Sequence, residues 1–177
     1  MRRLDSFMKG VNLGGWLSQG SLDINHIATF IVEDDIKRIS EIGCDHLRLP
    51  VDYENIDKDG EIVEYGFDYI EKCIKWCQKY GLNVVLDLHK TPGYVFDDLE
   101  NSKGFFGNPI LEARFLTIWD RLSSRFSKYS DMMMFEMLNE VTDESYLDSW
   151  NDLGKRCIKV IRKNAPKVKI LFGGVNY

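Results

Sequence analysis

Short apolar runs alternate with longer amphipathic segments along this chain, always in the same order. The first run, Met8 to Leu13, closes on Gly14 and Gly15. A long polar connection follows. Val32 to Ile42 then carries apolar residues at helical spacing: Val32, Ile36 and Ile39 share a face, and Gly43 suits a left-handed cap. The second run covers Asp45 to Pro50. A second helix is predicted from Phe67 to Tyr80, with Phe67, Ile70, Ile74 and Cys77 as its stripe and Gly81 as its stop. The third run, Leu82 to His89, is nearly continuous in apolar residues, as in a strand covered on both faces. Asn108 and Pro109 open a third helix, Asn as N-cap and Pro as first helical residue, with Leu111, Phe115, Ile118, Leu122 and Phe126 facing inward. The fourth run, Met132 to Leu138, ends in Asn139 and Glu140. A fourth helix runs from Ser145 to Arg162 with Leu147, Trp150, Leu153, Ile158 and Ile161 inward, and Pro166 bars its continuation. The fifth run is Val168 to Phe172, followed by Gly173 and Gly174.

Strands separated by helices imply right-handed βαβ units on a parallel sheet. A doubly wound nucleotide-binding sheet would need a Gly-rich turn running from the first strand straight into a helix. Leu13-Gly14-Gly15-Trp16-Leu17 lacks that spacing. The pattern therefore predicts an α/β chain of (β/α)8 TIM-barrel type, of which residues 1–177 supply roughly the first five strands and four helices of one domain.

Composition narrows the chemistry. The formal net charge of −5 gives no broad attraction for nucleic acid or an anionic membrane, so neutral ligands are the easier expectation. No run approaches the roughly 18 apolar residues of a membrane span. Met1-Arg2-Arg3-Leu4-Asp5 is basic but leads into no apolar segment, so a secretory signal is not visible; the expectation is a cytoplasmic chain or one whose signal has been removed. Cys73 and Cys77 fall on one helix face, but no other Cys or His lies at ligand spacing nearby, and they read as small buried apolar side chains.

Barrel enzymes place their reacting groups at the C-terminal ends of strands. Here the second run ends in Arg48-Leu49-Pro50, the third in Asp87-Leu88-His89 and the fourth in Asn139-Glu140. Each has a plainer explanation: Arg48 as an ion-pair partner of Asp45 or Asp87, His89 as a hydrogen-bonded core histidine, Glu140 as a helix-dipole charge. Their recurrence at equivalent positions favours one rim. Asp87 and His89 on one strand face also fit two ligands of a metal-dependent barrel hydrolase, which needs about three.

These motifs resemble glycoside hydrolase family 5, the cellulase and endoglucanase family of clan A. Gly10-Val11-Asn12-Leu13-Gly14-Gly15-Trp16 is similar to its first-strand signature, and Asp45-His46-Leu47-Arg48-Leu49-Pro50 to its second. Leu86-Asp87-Leu88-His89 is similar to its third, and Phe135-Glu136-Met137-Leu138-Asn139-Glu140 to the Asn-Glu ending of its fourth. The resemblance implies a retaining hydrolase of β-glycosidic bonds, foremost an endo-β-1,4-glucanase acting on a plant-type polysaccharide without a cofactor or metal. Glu140 would be the acid/base, Asn139 would bind the sugar 2-hydroxyl, His89 the sugar in subsite −1, and Arg48 would hold the nucleophile ionised. Trp16 and Tyr94 follow strand ends, where rings could stack on sugars; for Trp16, packing under the barrel rim is an equal expectation. Lys90 departs from the family, many members of which carry a second His there.

A retaining glycosidase needs a second carboxyl group about 5–5.5 Å from the first. Glu136 faces the same side as Glu140 but, four residues earlier, lies roughly 13 Å down the strand at ~3.3 Å per residue. In the family the nucleophile ends the seventh strand. The chain is therefore expected to lack its nucleophile, to be inactive alone, and to need the C-terminal half of the barrel or self-association. A non-catalytic β-glucan-binding or partner-binding half-barrel is the competing expectation.

Overall fold

In the computed structural model, residues 5–96, 98 and 104–176 are described. The chain divides into two compact units, 1–86 and 87–177. The sheet strands are β1 (Gly10–Asn12), β2 (His46–Asp52), β5 (Asn83–Lys90), β6 (Met133–Glu136) and β7 (Lys169–Leu171), in that spatial order. The other two, β3 (Asp57–Lys58) and β4 (Glu61–Ile62), form a small antiparallel hairpin. The unit boundary falls within β5.

In the first unit, β1 pairs parallel with β2, Gly10 opposite His46 and Asn12 opposite Arg48. Asp45 gathers the lower ends of these strands. Its carboxylate accepts from the Met8 and Lys9 amides and from His46 Nδ1, and its carbonyl accepts from the Asn83 amide. Burial works against that carboxylate's charge, but the His46, Lys9 and Met8 hydrogen bonds outweigh it and hold the pKa at about 2. A Cβ at Gly10 would fall 2.3 Å from the His46 ring, so a larger residue there has to displace that ring.

The polar connection after β1 holds a helix that the periodicity did not suggest, α1 (Ile24–Thr29), capped by Asp23, whose side chain accepts from the Asn25 amide. Its only buried residue is Ile27, too little for a 3.6-residue stripe to show. Helix α2 (Glu33–Glu41) starts where expected, the Val32 amide donating to Asp35. Ile36 is buried, whereas Val32 is exposed and Ile39 half-buried, so its inward face is narrower than its spacing suggested. Helix α3 (Glu64–Lys79) buries the whole stripe of Phe67, Ile70, Ile74 and Cys77. Gly66 in its first turn lies against the Asn55 carbonyl, where a Cβ would fall 1.8 Å away.

In the second unit, β6 pairs parallel with β7, Met134 opposite Lys169 and Glu136 opposite Leu171. Helix α4 (Pro109–Phe126) begins as its sequence dictates: Asn108 accepts from the Ile110 and Leu111 amides and Pro109 is the first helical residue. Helix α5 (Leu147–Asn164) buries Trp150, Leu153, Gly154, Cys157 and Ile161. Leu147 and Ile158, expected inward, are exposed, because the buried line runs through Gly154 and Cys157 instead. Glu112 of α4, buried, accepts from the Gly107 amide and pairs with Arg156 of α5, fastening the two helices.

Candidate active site

Arg48 lies on β2 beside β1. Its Nη1 donates to Asn12 Oδ1 at 3.0 Å, and its carbonyl accepts from the Leu13 amide at 2.9 Å. Asp45 is not its partner here, being engaged by His46 and the chain start. The loop after β1 is held by buried polar groups: Asp52 at the end of β2 accepts from Ser18 Oγ and the Gln19 amide, and Asn55 Nδ2 donates to the Leu17 carbonyl. Ser18, Asp52 and Asn55 were not singled out in the sequence. The signal was available only in retrospect, as polar residues at two strand ends with no charge run to solvate them.

Trp16 does not present a ring to solvent. It is 1% exposed, its Nε1 donates to the Ile27 carbonyl at 2.8 Å, and Tyr69 meets it edge-on. The stacking expectation for Trp16 gives way to a core role, because α1 supplies the carbonyl that draws the indole inward. His26 of the same helix reaches the Gly15 carbonyl at 2.7 Å, with Phe30 packed on its ring.

The second unit brings five of the candidate residues together: Asp87, His89, Tyr94, Asn139 and Glu140. Asp87 and His89, alternate residues of β5, share a face, and His89 Nδ1 lies 2.7 Å from Asp87 Oδ2. Asp87 is wholly buried and His89 is 7% exposed. A carboxylate can only accept, so Nδ1 carries the proton in this pair and Nε2 is left as the ring's working atom. Phe96 meets the imidazole edge-on at 5.3 Å. Asn139 is buried, and its amide donates to the Leu88 carbonyl at 3.2 Å, tying it to β5. Glu140 follows directly and is exposed.

Glu140 is held with φ at +41°, in the left-handed region. For a residue with a long side chain this conformation costs about 1–2 kcal/mol and persists only where its surroundings impose it. They do so on both sides. Asn139 is tied to β5, while Val141 bridges Val175 and accepts from the Asn176 amide. Between them, Tyr94 Oη donates to the Glu140 carbonyl at 2.8 Å and accepts from the Thr142 amide at 3.4 Å. Tyr94 is 0% exposed, enclosed by Phe105 and Phe106, so its ring offers no sugar platform either. Burial pushes its phenol pKa up, so it stays a neutral donor.

Among the described residues, no group of three His, Cys, Asp or Glu side chains stands ready to hold a metal ion, so Asp87 and His89 find no third ligand there. Cys73 and Cys77 are free and buried; the hydrogen bond between them, then burial, raises the Cys73 thiol pKa, consistent with inert core side chains. No helix among the described residues is long and apolar enough to cross a membrane.

The cellulase family, glycosyl hydrolase family 5, matches residues 6–177. The chain belongs to that family. Cellodextrinase A of Ruminococcus flavefaciens is 44% identical over 174 residues, covering 98% of this chain and 52% of the relative. Endoglucanase C of Acetivibrio thermocellus is 43% identical over 176 residues, covering 97% of this chain and 51% of the relative. The chain thus spans about half the length of the relatives it matches. Among solved structures, endoglucanase Cel5A from Thermotoga maritima matches with a TM-score of 0.79 at 24% identity, over 97% of this chain and 53% of that one. That likeness shows the fold: a family 5 barrel of which this chain has the architecture of the first half.

Proposed function

We propose that the polypeptide carrying this chain is a retaining endo-β-1,4-glucanase in which Glu140 is the general acid/base. The observation that carries the reading is an exposed carboxylate held in a left-handed backbone at the end of β6, directly after a buried, strand-tied asparagine. Such a group is fixed in position yet open to a substrate. Its proton passes to the glycosidic oxygen as the bond to the anomeric carbon breaks; the carboxylate then takes a proton from the water that releases the sugar. In this reading Asn139 binds the sugar 2-hydroxyl, and His89, set by Asp87, donates or accepts through Nε2 at the sugar in subsite −1. Arg48 keeps the nucleophilic carboxylate ionised. The names of the relatives, cellodextrinase and endoglucanase, favour a β-1,4-glucan as substrate. Thermotoga maritima Cel5A, which shares the fold, has been crystallised with cellobiose and with mannotriose.

The test is Glu140→Gln in the full-length polypeptide that carries this chain. Cleavage of cello-oligosaccharides, whose leaving groups need protonation, is expected to slow by about 10²–10⁴-fold. Cellobiosides of strongly acidic phenols, which depart unaided, are expected to form the covalent intermediate at near-normal rate and then stall. Azide, which needs no base, should release them. Equal slowing of bond cleavage for both leaving groups, with no azide effect, would refute the assignment.

A further inference from the structure

We infer that Tyr94 is a positioning residue for the acid/base: its phenol, set into the loop after β6, fixes the turn from which the Glu140 side chain projects. The inference rests on the role proposed for Glu140 and adds what holds it. Four consecutive residues of that loop are anchored. Asn139 donates to Leu88, Glu140 accepts from Tyr94, Val141 accepts from Asn176, and the Thr142 amide meets Tyr94 Oη. Two of these anchors come from other backbone, and both of the remaining two come from one side-chain oxygen. Tyr94 Oη therefore stands between a carbonyl and an amide two residues apart, where a tight turn would otherwise have to join them directly. This is the stretch in which Glu140 adopts φ of +41°.

The phenol is itself rigidly delivered. Thr91 and Tyr94 exchange both backbone hydrogen bonds, at 3.2 and 2.9 Å, forming a closed turn immediately after β5. Gly93 inside that turn has φ of +81°, and a Cβ there would lie 2.5 Å from Leu111. The ring is packed at 5.4 Å by Phe106, which stacks in turn on Tyr146 of the short 3-10 helix Glu144–Tyr146 beyond the loop. Burial keeps the hydroxyl protonated, so it remains a donor to the Glu140 carbonyl. Removing that one oxygen leaves the ring and its packing intact but frees the carbonyl of 140 and the amide of 142. The backbone at 140 can then relax toward ordinary φ, which moves the carboxyl group away from its aim. Misplacement of a catalytic group by about 1 Å can cost on the order of 10²-fold in rate.

The experiment is Tyr94→Phe in the full-length polypeptide, with Glu140→Gln in parallel. The expected result is a fall in kcat of about 10–100-fold on cello-oligosaccharides, with KM unchanged and with the pre-steady-state burst of phenol release from acidic-phenol cellobiosides within about twofold of wild type in rate. A purely structural role lowers only the fraction of folded enzyme and so slows both substrates by one common factor. Equal slowing of both, or no slowing of either, overturns the inference. If Glu140→Gln is leaving-group dependent and Tyr94→Phe is not, the Tyr94 role alone fails; if Glu140→Gln shows no such dependence, the acid/base reading has failed first. Should Tyr94→Phe not fold, 4-fluorophenylalanine at position 94 keeps the ring and fills the place of the hydroxyl but cannot donate to the Glu140 carbonyl. It is expected to give the same selective loss, and a uniform effect there overturns the proposal equally.

Discussion

Replacing Trp16 with Phe tests whether the aromatic residue after β1 serves the substrate or the core. The indole is 1% exposed and donates to the Ile27 carbonyl at 2.8 Å. Phe keeps an aromatic face but loses the donor and part of the ring. Leaving a buried carbonyl without its partner costs about 1–3 kcal/mol. The lost ring area, roughly 40 Å² at about 25 cal/mol per Å², adds about 1 kcal/mol. The variant is expected to be less stable by about 2–4 kcal/mol, read as a lower urea midpoint with an unchanged slope. KM for cello-oligosaccharides, measured well below that midpoint, is expected to stay within about twofold of wild type, because a ring enclosed by Tyr69 and α1 has no face left for a sugar. A raised KM with an unmoved urea midpoint would refute this reasoning and restore Trp16 as a stacking platform.

Acid should loosen the start of the chain: Asp45, held at about 2 from an ordinary 3.8, adds stability that is fully present above pH 4 and is lost as pH falls through 2. Its side chain is about a third exposed, so after solvent screening the loss is about 1 kcal/mol, and Asp45→Asn should abolish this part of the acid dependence in urea titrations run between pH 4 and 2. A variant whose stability falls as steeply as wild type over that window would assign the dependence elsewhere.

Much of the fold could be read directly from the chain because its signals are local. Asn108-Pro109 announced α4 by capping chemistry alone, and the α3 stripe needed only a 3.6-residue period. What was not legible depended on distant partners. Helix α1 buries one isoleucine, so no period reveals it, yet its Ile27 carbonyl is what makes Trp16 a core residue. Leu147 and Ile158 have the spacing of an inward face, but Gly154 lets Phe172 approach so closely that a Cβ there would fall 2.3 Å from its ring, and the buried line passes that way instead. The candidate site divides similarly. Asp87 and His89 alternate on one strand, and their pairing follows from the two-residue period. That Tyr94 reaches the backbone of Glu140, 46 positions on, is a fact of tertiary geometry that no short motif encodes.

The left-handed backbone at Glu140 also bears on how this sequence can change over time. Glycine meets no Cβ penalty at such a φ, and asparagine tolerates it far better than glutamate does, so both suit position 140 better than the residue found there. Under the role proposed for Glu140, stability and catalysis pull this position in opposite directions. Glu140→Asn is expected to raise the urea midpoint while abolishing turnover of cello-oligosaccharides; a lowered midpoint would mean that the backbone there stores no strain. A lineage released from selection for hydrolysis would drift toward asparagine or glycine at this site while keeping the fold. Asparagine or glycine at the aligned position in a family member would then mark a protein that has given up the reaction for binding alone.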